Sequence, residues 1–131
     1  MIAETRDFMK ARSLPRASVA ELLDAYRKAA KIQSSSTLTG DYKTGNPQAD
    51  IIATIYRELR NRGGDAQNAL LDLLDDEDAG VRGWAAAHAL EIAPAKGIPV
   101  LEALAQSEPW PLNTNAEMTL KVWKKGELRF P

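Results

Sequence analysis

Apolar residues recur at intervals of three and four along most of the chain, which is the spacing of amphipathic helices. The first clear segment follows Ser18, and Glu21 three residues later completes a capping-box pattern. Its predicted inner face carries Val19, Leu22, Leu23, Tyr26 and Ala30. We expect this helix to fade in the serine and threonine run 34–37 and a loop to occupy residues 37–47.

Two further helices are expected before residue 79. Pro47 suits the first turn of one helix, which ends at the Gly63-Gly64 pair. The next helix ends in the acidic run 75–78, where negative charges oppose the helix dipole. The apolar residues of these two helices are Ile51, Ile52, Ile55, Tyr56 and Leu59, then Ala69, Leu70, Leu73 and Leu74.

The C-terminal third predicts three more segments. A helix over 79–92 ends at Pro94 and turns an alanine-rich face inward, which lets a neighbouring helix approach closely. Its inner positions are Val81, Ala85, Ala89 and Ile92, with Ala86 and Leu90 beside them. Pro99 is expected to begin the next helix, with Leu101 and Leu104 on its buried face. The remaining boundaries are set by Pro109, Pro111, an N-cap at Asn113 or Thr114, and a stop at Gly126.

No segment alternates with period two for long enough to form a strand, so the predicted fold class is all-α. Five to six helices are expected, arranged in about three helical hairpins. Residues 1–17 are interpreted as an N-terminal extension with at most one short helix, because Pro15 interrupts it. Residues 18–131 are predicted to form a single domain.

Charge and composition narrow the classes of function. The chain has 131 residues, no cysteine and a net charge of −1. Residues 1–64 carry 11 basic and 7 acidic residues, residues 65–112 carry 2 and 9, and residues 113–131 carry 4 and 2. This acidic middle makes nucleic-acid binding unlikely, because nucleic acids favour a concentrated basic surface. No apolar run suggests a membrane span or a secretory signal. A cytoplasmic protein is expected because the absence of cysteine suits a reducing compartment.

The segment Leu70–Leu104 resembles HEAT repeats, and in particular the HEAT-like repeats of phycobilisome lyases. The resemblance is carried by the paired leucines before the acidic run, by Asp75 and Asp78 within it, by Val81-Arg82, by the alanines of 85–90 with Leu90 and Ile92, and by the IPVLEAL stretch. The wider chain is similar to a small bacterial family of single-domain HEAT-like proteins of unknown function. The resemblance implies a short armadillo-like α-α superhelix. It also implies structural roles for the repeat positions Asp75, Val81 and Arg82.

Candidate chemistry is sparse. Glu91 could join His88, the single histidine, as a metal ligand, but two ligands make a poor site. The run 75–78 lacks the alternating aspartates and the distant glutamate of an EF-hand loop, and the chain has no phosphate-binding loop. We therefore expect no enzyme activity, no cofactor and no metal.

The expected function is protein–protein binding, in a toxin-neutralising (immunity-type) or regulatory role. At 100° per residue, Trp84, His88 and Glu91 share one stripe, which is predicted to face outward. Arg57 and Lys121 would extend it along neighbouring helices, and an exposed tryptophan is a typical interface anchor. The alternative is packing of this stripe against another helix. Other possible functions are a lyase-like or chaperone-like accessory protein that handles a small ligand, and nucleic-acid binding through a basic face. The oligomeric state is open.

Overall fold

The structure, a computed structural model, describes residues 14–130. Within them it contains six α-helices and no strand, which confirms the predicted all-α fold with five to six helices. Short 3-10 segments lie at Leu14–Arg16 and Leu70–Asp75. The helices are α1 (Val19–Thr39), α2 (Tyr42–Asn61), α3 (Gly64–Ala69), α4 (Ala79–Ile92), α5 (Pro94–Ser107) and α6 (Leu112–Lys124).

The helices form two compact units, the first ending at Ala69 and the second beginning at Leu70. Each unit has its own buried apolar residues. The single domain expected over 18–131 stays a prediction, and the short helix expected within 1–17 lies mostly outside the described residues.

Helix α1 begins as predicted and ends later than predicted. Ser18 accepts a hydrogen bond from the Glu21 amide at 3.1 Å, and the Glu21 carboxylate accepts one from the Ser18 amide at 2.9 Å. The helix continues through the serine and threonine run, and hydroxyl groups there bond to carbonyls of the preceding turn instead of ending the helix. The Ser36 hydroxyl, for example, donates to the Ile32 carbonyl at 2.8 Å. Gly40, with φ of +74°, ends the helix instead.

The predicted loop over 37–47 is wrong, since α2 begins at Tyr42 directly after this turn. Asp41 is its N-cap and accepts a hydrogen bond from the Thr44 amide at 3.3 Å. Pro47 lies inside the helix, one turn later than expected. The predicted end at Gly63 is confirmed, because α2 stops at Asn61 and Gly63 has φ of +109°.

The predicted third helix is split between two segments. Its apolar residues Leu70, Leu73 and Leu74 are buried as expected, but they lie on the 3-10 segment that follows α3. A 3-10 helix has three residues per turn and therefore places positions i and i+3 on one side. This winding lets Leu70 and Leu73 face the core together.

Helix α4 has the predicted bounds and buries Val81, Ala85 and Ala89, while Ile92 is only half-buried. The expected start of the next helix at Pro99 is wrong. Helix α5 begins at Pro94, where the first helical position needs no amide donor. Pro99 lies within α5, and the carbonyl that its missing N–H would engage belongs to exposed Ala95.

The predicted N-cap of the last helix at Asn113 or Thr114 is also wrong. Helix α6 begins at Leu112, and Pro111 precedes it without a side-chain cap. The Asn113 side chain instead accepts a hydrogen bond from the Thr114 amide at 2.7 Å, inside the first turn. The predicted stop is confirmed, since Gly126 has φ of +73° just after the helix.

Candidate interaction surface

The stripe Trp84–His88–Glu91 on α4 does not face outward as a whole. His88 is only 2% exposed, so its predicted outward placement is wrong. Its ring lies edge-on to Phe130 with 4.6 Å between centroids, and 6.1 Å from the ring of Trp84. Trp84 is half-buried and Glu91 is exposed. The chain after Gly126 brings Phe130 onto α4 and covers the histidine.

Sequence reasoning missed Phe130 because it lies beyond the last predicted helix. The available signal was the aromatic residue itself, because a large apolar ring near the end of the chain is stabilised when it packs on another part of the protein. Trp84, His88 and Phe130 therefore form an aromatic cluster that holds the C-terminal segment against α4. The packing alternative applies to His88, and a binding role for Trp84 and Glu91 stays a prediction.

The outer members of the predicted stripe are both exposed. Arg57 belongs to α2 in the first unit, where it donates a hydrogen bond to the Thr54 hydroxyl at 3.2 Å. Lys121 belongs to α6 in the second unit. Its ammonium group has no ion pair among residues 14–130. A continuous surface joining these residues stays a prediction.

The acidic turn before α4 is a hydrogen-bonded structure. Arg82 donates from one guanidinium nitrogen to the carbonyls of Asp76 and Glu77, at 2.8 and 3.0 Å. Asp78 is the N-cap of α4, and its side chain accepts a hydrogen bond from the Val81 amide at 3.0 Å. Arg82 therefore holds the turn and Val81 is fully buried, and their roles as repeat positions stay predictions.

Asp75 is different, because its side chain is exposed and takes part in none of the hydrogen bonds described for residues 14–130. Its structural role stays a prediction. Asp76 and Asp78 do hold the turn, since the Asp76 carboxylate also accepts from the Asp78 amide at 3.0 Å. Sequence reasoning did not predict these hydrogen bonds because all four residues of the run are acidic.

Buried polar groups are concentrated in the first unit. The Gln67 side-chain amide donates to the Tyr56 hydroxyl at 3.0 Å, and Arg60 lies over the Tyr56 ring at 5.5 Å. Burial raises the pKa of Tyr26 well above its ordinary value of 10.0, and neighbouring Tyr56 adds to this shift. Tyr26 is therefore a neutral group of the interior at physiological pH.

Within residues 14–130, no three histidine or acidic side chains come together as a group that could hold a metal ion. Over the same residues, no helix combines the length and apolar character that crossing a membrane requires.

Between residues 14 and 130, four large apolar side chains are exposed by more than half: Leu38, Tyr42, Trp110 and Met118. Two of them belong to α6 and the turn that enters it. Trp110 is 66% exposed between two prolines, and Met118 is 55% exposed on the side of α6 opposite its buried residues Ala116 and Leu120. Lys121 and Lys125 follow Met118 at helical spacing and are exposed. We call Trp110, Met118, Lys121 and Lys125 the α6 surface.

The model of one protein family, described as a domain of unknown function (DUF2019), matches residues 21–123. The chain belongs to this family. It is also similar to the protein RPA1889 from Rhodopseudomonas palustris CGA009, whose crystal structure superimposes with a TM-score of 0.82 at 29% sequence identity. That match covers 88% of this chain and 96% of RPA1889. No curated protein matches the chain.

Proposed function

We propose that this DUF2019 protein is a non-catalytic protein-binding module and that the α6 surface is its binding site. The observation that carries the proposal is the exposure of Trp110. A tryptophan that is 66% exposed leaves a large apolar area in water, and its two flanking prolines restrict the backbone that presents it. Tryptophan is among the residues most enriched at the energetic centres of protein interfaces.

The exposed residues of α6 that follow Trp110 in the chain support binding rather than chemistry. Met118 adds a flexible apolar side chain, and methionine adapts well to partner surfaces. Lys121 and Lys125 add positive charge that can orient an encounter. His88, the single histidine, packs between aromatic rings, a setting that favours a structural role over proton transfer.

The proposal includes a repeat architecture and a biological role. The acidic turn, Arg82 and the close pair α4 and α5 favour a short HEAT-like, armadillo-like superhelix, an architecture that presents helix faces to partners. A toxin-neutralising or regulatory role in the cytoplasm would use such a face. Trp84, Glu91 and Arg57 are secondary candidates for contact with the partner.

The test is affinity capture from the source organism with wild-type and Trp110→Ser baits, followed by titration calorimetry with the purified partner. We expect a protein that wild type retains and Trp110→Ser binds at least about tenfold more weakly. Leu38→Ser is the matched control, because Leu38 is 57% exposed but lies in the first unit. The control should retain full affinity.

Two outcomes would overturn the proposal. Equal capture by wild type and Trp110→Ser would remove the α6 surface as the binding site. Retention of a small molecule or a nucleic acid, with no protein that depends on Trp110, would favour the accessory or nucleic-acid alternatives.

A further inference from the structure

The second unit separates its charges between its two ends. Helices α4, α5 and α6 are joined by short connections and packed on one another, so successive helices run in opposite directions. The start of α4, the end of α5 and the start of α6 therefore lie at one end. The end of α4, the start of α5 and the end of α6 lie at the other.

The first of these ends is acidic. It carries five acidic residues and one basic residue, a net charge of −4: Asp75, Asp76, Glu77, Asp78 and Glu108, with Arg82. The second end is basic. It carries four basic residues and one acidic residue, a net charge of +3: Lys96, Lys121, Lys124 and Lys125, with Glu91. Glu127 and Arg129 follow α6 and cancel each other.

Helix dipoles explain part of this separation. Helices α4 and α6 both start at the acidic end, so acidic residues there and lysines at the opposite end complement their dipoles. Dipoles do not account for the apolar exposure of the α6 surface. In addition, no ion pair engages Lys121, Lys124 or Lys125 among residues 14–130.

We propose that the occupant of the α6 surface is a second copy of this chain, packed antiparallel about a two-fold axis near Met118. This inference rests on the proposed function and names its partner. In that arrangement the basic end of each copy lies beside the acidic end of the other, so the charge complementarity is satisfied twice. The two Met118 side chains pack at the centre. Because both copies use the same surface, the association stops at a dimer.

The size of the surface sets the expected strength. Helix α6 has 13 residues and is about 20 Å long at 1.5 Å per residue. A contact built on one helix face falls at the small end of specific interfaces, where association is weak and reversible. Opposite charges at both ends fix the antiparallel direction and make the association sensitive to salt.

Sedimentation velocity on the full chain, from micromolar to near-millimolar concentration, tests this dimer. Variant A carries Lys121→Glu and Lys125→Glu, and variant B carries Asp75→Lys and Glu77→Lys. Each variant alone should associate at least about tenfold more weakly than wild type, because like charges then face each other. An equimolar mixture of A and B should form a 1:1 heterodimer, since opposite charges again meet at both ends.

A double variant with Lys31→Glu and Lys43→Glu is the control. It makes the same change in net charge as variant A, on exposed residues of the first unit, and should dimerise like wild type. Circular dichroism establishes that each variant is folded.

Two results would overturn the second copy as occupant: a monomer at every concentration, or a dimer that A and B leave intact. If another protein is still captured through Trp110, only this inference fails. If nothing depends on Trp110, the proposed function fails with it.

Discussion

The first unit buries polar side chains between two long helices, whereas the second brings short helices close together through glycine and alanine. In the first unit Tyr26 and Tyr56 are almost completely enclosed, and hydroxyl groups at the end of α1 bond to their own helix. In the second unit the α4–α5 contact is made at Ala86, Ala89 and Gly97. The two units therefore reach the same fold class with different sensitivities.

The difference follows from what each contact can tolerate. A buried hydroxyl or amide is stabilised only while its partner is in place, so the first unit depends on hydrogen-bond geometry. A contact between small residues depends on volume instead, because added atoms have nowhere to go. Substitutions that change one property and preserve the other should distinguish the two units.

The largest expected effect is a cavity in either core. Leu101 is 1% exposed in the second unit and Ile52 is fully buried in the first. Either residue changed to alanine should lower the free energy of unfolding by about 2–5 kcal/mol. Chemical denaturation measures the loss, and native-state hydrogen exchange shows where protection falls. Loss confined to the mutated unit would separate the two regions energetically, whereas uniform loss would contradict independent units.

Gly97→Ala tests the close contact of the second unit. An added Cβ would lie 2.8 Å from the Ala86 carbonyl oxygen and 3.2 Å from the Ala89 Cβ, so α4 and α5 would have to separate. We expect a loss of about 1–3 kcal/mol in the free energy of unfolding. Gly83→Ala is the control, because the same Cβ there meets only Leu104 at 3.7 Å. It should be neutral or stabilising by up to about 1 kcal/mol, since alanine favours helix. Equal effects at both glycines would refute the argument from close contact.

Arg82→Ala should destabilise the second unit through its polar turn. It removes the donor that engages the carbonyls of Asp76 and Glu77. The expected loss is about 1–2 kcal/mol, reduced because the site is partly open to solvent. Thermal unfolding measures it, and Arg57→Ala on the first unit is the control. An unchanged melting temperature, combined with lost partner binding, would make Arg82 a contact residue.

Ser18→Ala removes the cap of α1 in the first unit. The alanine side chain cannot accept from the Glu21 amide, so we expect a loss of about 1 kcal/mol. The hydrogen bonds to Ser18 also lower the pKa of Glu21 below its ordinary value of 4.5. A lowered pKa in the folded state adds stability above that value, and the stability is lost as pH falls below it. Alanine keeps the Ser18 amide, the larger cause of the shift, and removes only the hydroxyl contribution. Urea denaturation at neutral and acidic pH should therefore show a slightly smaller difference between wild type and Ser18→Ala in acid.

Helical periodicity predicted the fold class and most of the core because burial of a helix face leaves a regular trace in the sequence. Ser18, Gly63 and Gly126 mark helix ends by local chemistry, and all three act where the sequence places them. The errors lie where a residue has two possible uses. Pro94 can end one helix or begin the next, and the run Ser34–Thr37 can leave a helix or bond to it.

The candidate site was less predictable because it depends on contacts between distant segments. A helical wheel places His88 on the same stripe as exposed Glu91, but only the fold brings Phe130 over the histidine. In the same way, Trp110 carried no sequence signal beyond its flanking prolines. Charge by segment was visible, but its separation between two ends follows from the antiparallel order of α4, α5 and α6.

The smallest effect at neutral pH is expected from Tyr26→Phe. The ring still fills its site in the first unit, so the free energy of unfolding should change by about 1 kcal/mol or less. The difference from wild type should appear in alkali. Because burial raises the pKa of Tyr26 in the folded state, folding favours the neutral phenol. The stability that neutral Tyr26 contributes is therefore fully present below pH 10.0, the ordinary tyrosine pKa, and is lost as pH rises above it. Denaturation between neutral pH and pH about 11 should show a shallower loss of stability for Tyr26→Phe than for wild type.

Tyr42→Phe is the matched control, since Tyr42 is 69% exposed and its replacement should leave the wild-type pH dependence unchanged. If the free energies of unfolding of Tyr26→Phe and wild type fell in parallel with rising pH, buried Tyr26 would not make the stability of the first unit depend on pH. The polar interior would then not distinguish the first unit in this respect.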